Sequence, residues 1–172
     1  MWVLPECDWP DWCQCNNSLE TTDESEIMMM RLETVAKDLA ARLRTATPSQ
    51  QRAASLVACQ LALQAAQMDI SIVSAAIEEL RDKGVLSTQR VTELNGLVAQ
   101  LDQAYFDLQD RSEDEPDLQP EALRFFGQAR AVSALSLAGG GDALLAAMEA
   151  IYEASVTVDD ASRIYDAVLL AL

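Results

Sequence analysis

Apolar residues along this chain recur at the helical spacing of three and four in every segment after about residue 22. No segment shows the apolar–polar alternation, the Val/Ile/Thr richness or the Asn-Gly turns of a sheet. The acidic run Asp23, Glu24 and Glu26 opens a first helix, where carboxylates suit the positive end of the helix dipole. Met28, Leu32, Val35, Leu39 and Leu43 give it one apolar face. Thr47-Pro48-Ser49-Gln50 has the form of a capping box with proline in the first turn, and starts a second helix that turns Ala54, Val57, Leu61, Ala65 and Met68 inward. Asp69 or Ser71 caps a third, with Val73, Ile77 and Leu80, which stops at Lys83-Gly84. The spacing leaves open whether the second and third are one bent helix.

Ser87 or Thr88 begins the fourth and most regular helix, whose Val91, Leu94, Val98, Leu101, Tyr105 and Leu108 make a heptad-like seam. Gly96 costs about 1 kcal/mol against alanine in a helix interior, which predicts a close helix crossing there. Residues 110–119 then offer only Leu118 to bury among Glu113, Asp114, Glu115, Pro116 and Asp117, the composition of a solvated acidic linker. Pro120 and Glu121 open a fifth helix through Leu123, Phe126, Ala129, Val132 and Leu135, ended by Gly139-Gly140-Gly141. Asp142 caps a sixth with Leu145, Met148, Ile151 and Tyr152, and Asp159 a seventh with Ile164, Val168 and Leu172. The glycine run is a short reversal, so the fifth and sixth helices pack as an antiparallel pair. The expected fold is all-α: a compact antiparallel bundle of six to seven helices over residues 22–172, preceded by an irregular Cys/Trp-rich arm over residues 1–21.

That arm holds Trp2, Trp9 and Trp12 and three of the four cysteines, Cys7, Cys13 and Cys15, without helical periodicity. It can dock on a partner or on its own bundle, or be an upstream extension if the natural start is one of Met28, Met29 or Met30. Cysteine spacings of six and two lack the paired knuckles of zinc ribbons, so free thiols and no metal are expected. The early Glu6, Asp8 and Asp11, with no Lys or Arg among them, are unlike a secretory signal, and a cytoplasmic location follows as the expectation. No stretch approaches the roughly 18 apolar residues of a membrane span.

Charge narrows the function classes. Lys and Arg number 12 against 28 Asp and Glu, a formal net charge of −16, which repels phosphate backbones and disfavours direct nucleic-acid binding. It suits solubility, a docking face for a basic protein, or mimicry of nucleic acid. Histidine is absent, which removes Ser-His-Asp and Cys-His nucleophile pairs and His-containing zinc sites. Glu78-Glu79 and Asp159-Asp160 are adjacent on helices and point about 100° apart, unlike a two-carboxylate active site. Gly139-Gly140-Gly141 lacks the Lys-Ser/Thr that completes a phosphate loop, and Tyr105, Tyr152 and Tyr165 sit at packing positions. No enzyme and no cofactor are expected. Two acidic surfaces remain as candidates for a basic partner: the linker acids Glu113, Asp114, Glu115 and Asp117, which are favoured, and the flank formed by Glu149, Glu153, Asp159, Asp160 and Asp166.

The stretch Phe125-Phe126 followed by Ala129-Arg130-Ala131-Val132-Ser133-Ala134-Leu135, and after a short turn Ala146-Ala147-Met148-Glu149-Ala150-Ile151-Tyr152-Glu153-Ala154, resembles the all-helical immunity proteins of bacterial toxin–immunity systems. The resemblance covers about residues 120–160 and is one of composition and layout. It implies a stoichiometric inhibitor that occludes a cognate toxin, with acidic residues steering association. It carries over no binding residue. A helical adaptor, chaperone or regulatory protein for a basic partner is the alternative.

Overall fold

The computed structural model describes residues 30–112 and 115–172, so the arm at 1–21, the expected helix start with Asp23, Glu24, Glu26 and Met28, and the acids Glu113 and Asp114 lie outside the described residues. Among those described, every regular element is helical: α1 Arg31–Val35, α2 Lys37–Thr45, α3 Pro48–Ala65, α4 Ser71–Lys83, α5 Thr88–Ser112, a 3₁₀ turn Pro116–Leu118, α6 Gln119–Ala138, α7 Ala143–Ser155 and α8 Ser162–Ala171. No helix is long and apolar enough to cross a membrane.

The punctuation follows local chemistry. At the start of α3 the Thr47 amide donates to Gln50 Oε1 (3.0 Å) and the Gln50 amide donates to Thr47 Oγ1 (3.3 Å), which closes the expected capping box. Asp142 accepts from the Leu145 amide at 2.8 Å and opens α7. Gly84, at φ 71°, ends α4 in the left-handed conformation that glycine tolerates.

Elsewhere tertiary contacts override the pattern. The first helix is broken at Ala36 (φ −145°, ψ 64°), which lets Leu32 of α1 and Leu39 and Leu43 of α2 all reach the core and leaves Val35 exposed instead of inward. The second and third helices are separate, because Gln67 takes a left-handed conformation at φ 54° and the Met68 amide returns to the Leu63 carbonyl at 2.9 Å. Neither Asp69 nor Ser71 caps α4, whose cap residue is Ile70 with no side-chain bond. Nor does Asp159 cap α8: Ala161 holds that place, while Asp160 accepts from the Ser162 amide at 3.0 Å.

The central helix is α3, which packs against α6, α7 and α8. Its buried face is Ala54, Ala58, Cys59, Ala62 and Leu63, while Val57 and Leu61 are only half-buried and Ala65 is exposed. A helix with neighbours on several sides has no single stripe, and its alanines mark where backbones come close. For the same reason Leu123 and Leu145, expected inward, stand at the surface while alanines of α6 and α7 are buried.

Helices α5 and α6 form a long antiparallel hairpin. Its rungs are Asn95–Ser136 (2.8 Å), Asp102–Arg130 (2.7 Å), the Tyr105–Phe126 ring pair (5.4 Å) and Ser112–Gln119 (3.0 Å). Gly96 plays no part in the contact: it is exposed, and a Cβ there would meet nothing within 4 Å. The expected close crossing is absent. Gly96→Ala should therefore stabilise the protein by about 0.5–1 kcal/mol, read as a raised urea midpoint. A lowered midpoint would mean that the helix needs the glycine after all.

An acidic hairpin tip and the ion-pair network behind it

The acidic stretch expected as a linker is largely structured. Asp110, Arg111 and Ser112 continue α5, and Pro116–Leu118 turn the chain directly into α6. Ser112 Oγ spans this turn, its single proton shared between the Gln109 carbonyl (2.8 Å) and Gln119 Oε1 (3.0 Å). The turn leaves Glu115 and Asp117 exposed at the tip, and one helical turn back Asp107 and Asp110 are exposed as well. Arg111 reaches Glu115 at 3.7 Å with both side chains about 60% in solvent (60% and 61%), a pair that water largely screens.

The second acidic flank does not exist as one surface. Glu153 is 4% exposed and receives two arginines: Arg31 Nη1 donates to Oε1 at 2.6 Å and Arg130 Nη1 to Oε2 at 3.4 Å. Arg31 also holds Glu149, through Nε (3.0 Å) and Nη2, and lies 4.5 Å over the Tyr152 ring. Arg130 grips Asp102 with Nη2 at 2.7 and 2.9 Å and lies 5.6 Å over the Phe126 ring. One chain of charges thus joins α1, α5, α6 and α7. Burial works against the Arg31 charge, but the hydrogen bonds and charges of Glu149 and Glu153 outweigh it and hold that guanidinium above its ordinary value. Glu149 and Glu153 are occupied with structure, while Asp159, Asp160 and Asp166 stay exposed.

Hydrophobic periodicity carries no trace of this network. The available signal was Arg130 set among alanines and valine on a helix whose face is otherwise apolar, with Glu149 and Glu153 four residues apart on one face of the next helix.

Other candidate chemistry is limited. Burial pushes the Cys59 thiol up to about 12, so it stays protonated at neutral pH and is no nucleophile. Cys7, Cys13 and Cys15 lie outside the described residues, and among those described no three His, Cys, Asp or Glu side chains come together to hold a metal ion. A groove of about 350 Å³ between α3 and α8 is lined mainly by Leu61, Ala65, Val158, Ile164 and Ala167, with Gln64 and Arg163 as its polar groups. No family model, no curated protein and no solved structure matches this chain.

Proposed function

We propose that this chain is a non-catalytic protein-binding protein that neutralises a basic partner, of the kind the immunity-protein resemblance implies: a cognate bacterial toxin bound and blocked in the cytoplasm. The observation that carries the reading is how the cations are spent. All 12 Lys and Arg lie at or after Arg31, and seven of them, Arg31, Arg44, Lys83, Arg90, Arg111, Arg124 and Arg130, are ion-paired within the chain. Arg52 is directed into the Ala138 and Gly141 carbonyls at 3.0 and 2.7 Å. With 28 acids against 12 cations the excess is acid, and the α5–α6 tip offers a partner the exposed Asp107, Asp110, Glu115 and Asp117.

Exposed charge of this sort acts chiefly on the rate of encounter, and salt weakens it as the screening length falls from about 10 Å at 0.1 M to about 3 Å at 1 M. The experiment is to co-express the chain with products of neighbouring reading frames, isolate the partner and measure association. Changing Glu113, Asp114, Glu115 and Asp117 to Gln and Asn should slow association several-fold at low salt and leave the chain's own stability nearly unchanged. An unchanged rate would move the contact to the helices. A partner that is bound yet remains fully active would make the protein an adaptor or chaperone instead.

A further inference from the structure

We infer that the face of the α5–α6 hairpin carrying Phe106 and Leu123 docks a cationic amphipathic segment of another protein, an inference that rests on the reading of a basic partner given above. Phe106 is 57% exposed and Leu123 54%, while the leucines that form the hairpin's seam, Leu94 and Leu101, are buried. Ring contacts and helical spacing link the two. The Tyr105 ring lies 5.1 Å from that of Phe106 and 5.4 Å from that of Phe126, and Leu123 sits one helical turn before Phe126 on α6. Exposed apolar side chains scattered singly need no explanation, but a contiguous group with a charged rim has the layout of an interface, with aromatic anchors at the centre.

The platform under the patch is fixed in advance. Phe126 is wedged between Tyr105 and the Arg130 guanidinium, and Arg130 is clamped by Asp102 and Glu153, so little side-chain freedom is left to lose on binding. Around it stand the exposed carboxylates Asp107, Asp110, Glu115 and Asp117, while Arg111 and Arg124 are drawn to Glu115 and Glu121.

Charge decides among the possible occupants. Residues 1–29 contain the three tryptophans and could be imagined on an aromatic patch, but they carry seven carboxylates and no Lys or Arg. A second copy brings its own net charge of −16. Either would set like charges against the rim, which is unfavourable, whereas a segment with Lys or Arg flanking an apolar stripe satisfies both rim and centre.

The test uses the full chain and a labelled amphipathic helical peptide of leucine and lysine, with a leucine–glutamate peptide as control, at low salt. The leucine–lysine helix should bind and the leucine–glutamate helix should not. Phe106→Ser together with Leu123→Ser, both at exposed positions, should weaken binding by about tenfold with circular dichroism unchanged. Unaltered affinity in that variant would overturn the patch while leaving a basic-partner protein with its contact elsewhere. No binding of the leucine–lysine helix by the unchanged chain would likewise overturn the patch, while the basic-partner reading stands or falls on association with the isolated partner. Intrinsic tryptophan emission adds a separate readout, because Trp2, Trp9 and Trp12 are the only tryptophans. It should not move on Phe106→Ser/Leu123→Ser, and a shift to longer wavelength would identify the N-terminal segment as the occupant and overturn the inference.

Discussion

Glu153→Ala should lower the stability of the fold by about 3 kcal/mol, seen as a drop in urea midpoint at constant slope. Glu153 is 4% exposed and its carboxylate serves two guanidiniums from different helices, so its removal takes one carboxylate from each of them at the α1–α6–α7 junction. Breaking a buried pair costs about 3–5 kcal/mol, and the lower end applies because Arg31 keeps Glu149, Arg130 keeps Asp102, and their side chains are 48% and 24% exposed. Against a total of about 5–15 kcal/mol for an ordinary domain this is a large fraction. A midpoint unmoved by Glu153→Ala would show that the arginines are satisfied by Asp102 and Glu149 alone.

Gly139→Ala should cost about 1–3 kcal/mol, the opposite sign to Gly96→Ala. The φ of Gly139 is −76°, open to any residue, so the backbone does not demand glycine there. Space does. A Cβ at 139 would stand 2.5 Å from Leu86 Cγ and 2.7 Å from Leu86 Cβ and Cδ1. Leu86 cannot simply back away, because its amide donates to the Gly139 carbonyl at 3.2 Å and the residue is only 9% exposed. In a Leu86→Gly background the added cost of Gly139→Ala should disappear, and a double-mutant cycle on thermal unfolding would read the coupling. Two independent costs that merely add would place the strain elsewhere in the turn.

Much of the fold was legible because its signals are local. The Thr47–Gln50 box, the Asp142 cap, the Gly84 stop and the α5 seam through Leu94 and Leu101 each depend on residues within a few positions, and all stand as the sequence pattern predicts. The departures share another cause. Spacing puts Val35, Ala65, Leu123 and Leu145 inward, yet which side of a helix is covered depends on neighbours distant in the chain, and alanine-rich helices bury more than one side. A left-handed Gln67 leaves no signature either, since glutamine is not a residue that marks that conformation. Of the candidate surface, Glu115 and Asp117 are exposed as their surroundings imply, and Glu113 and Asp114 lie outside the described residues. The Arg31–Glu153 pair, by contrast, spans 122 positions, beyond the reach of any spacing rule.

The small residues at the helix contacts change how a mutational map of this protein would have to be read. Scanning with alanine reports nothing at Ala54, Ala58 and Ala62 of α3, at Ala129 and Ala134 of α6, or at Ala147 and Ala150 of α7, because the native residue is already the probe. These positions are 0% exposed and lie where the bundle is most intolerant of added volume. Truncation would flag the leucines and pass silently over the alanines. Enlargement, one methyl group at a time, is the perturbation to which the middle of this bundle answers.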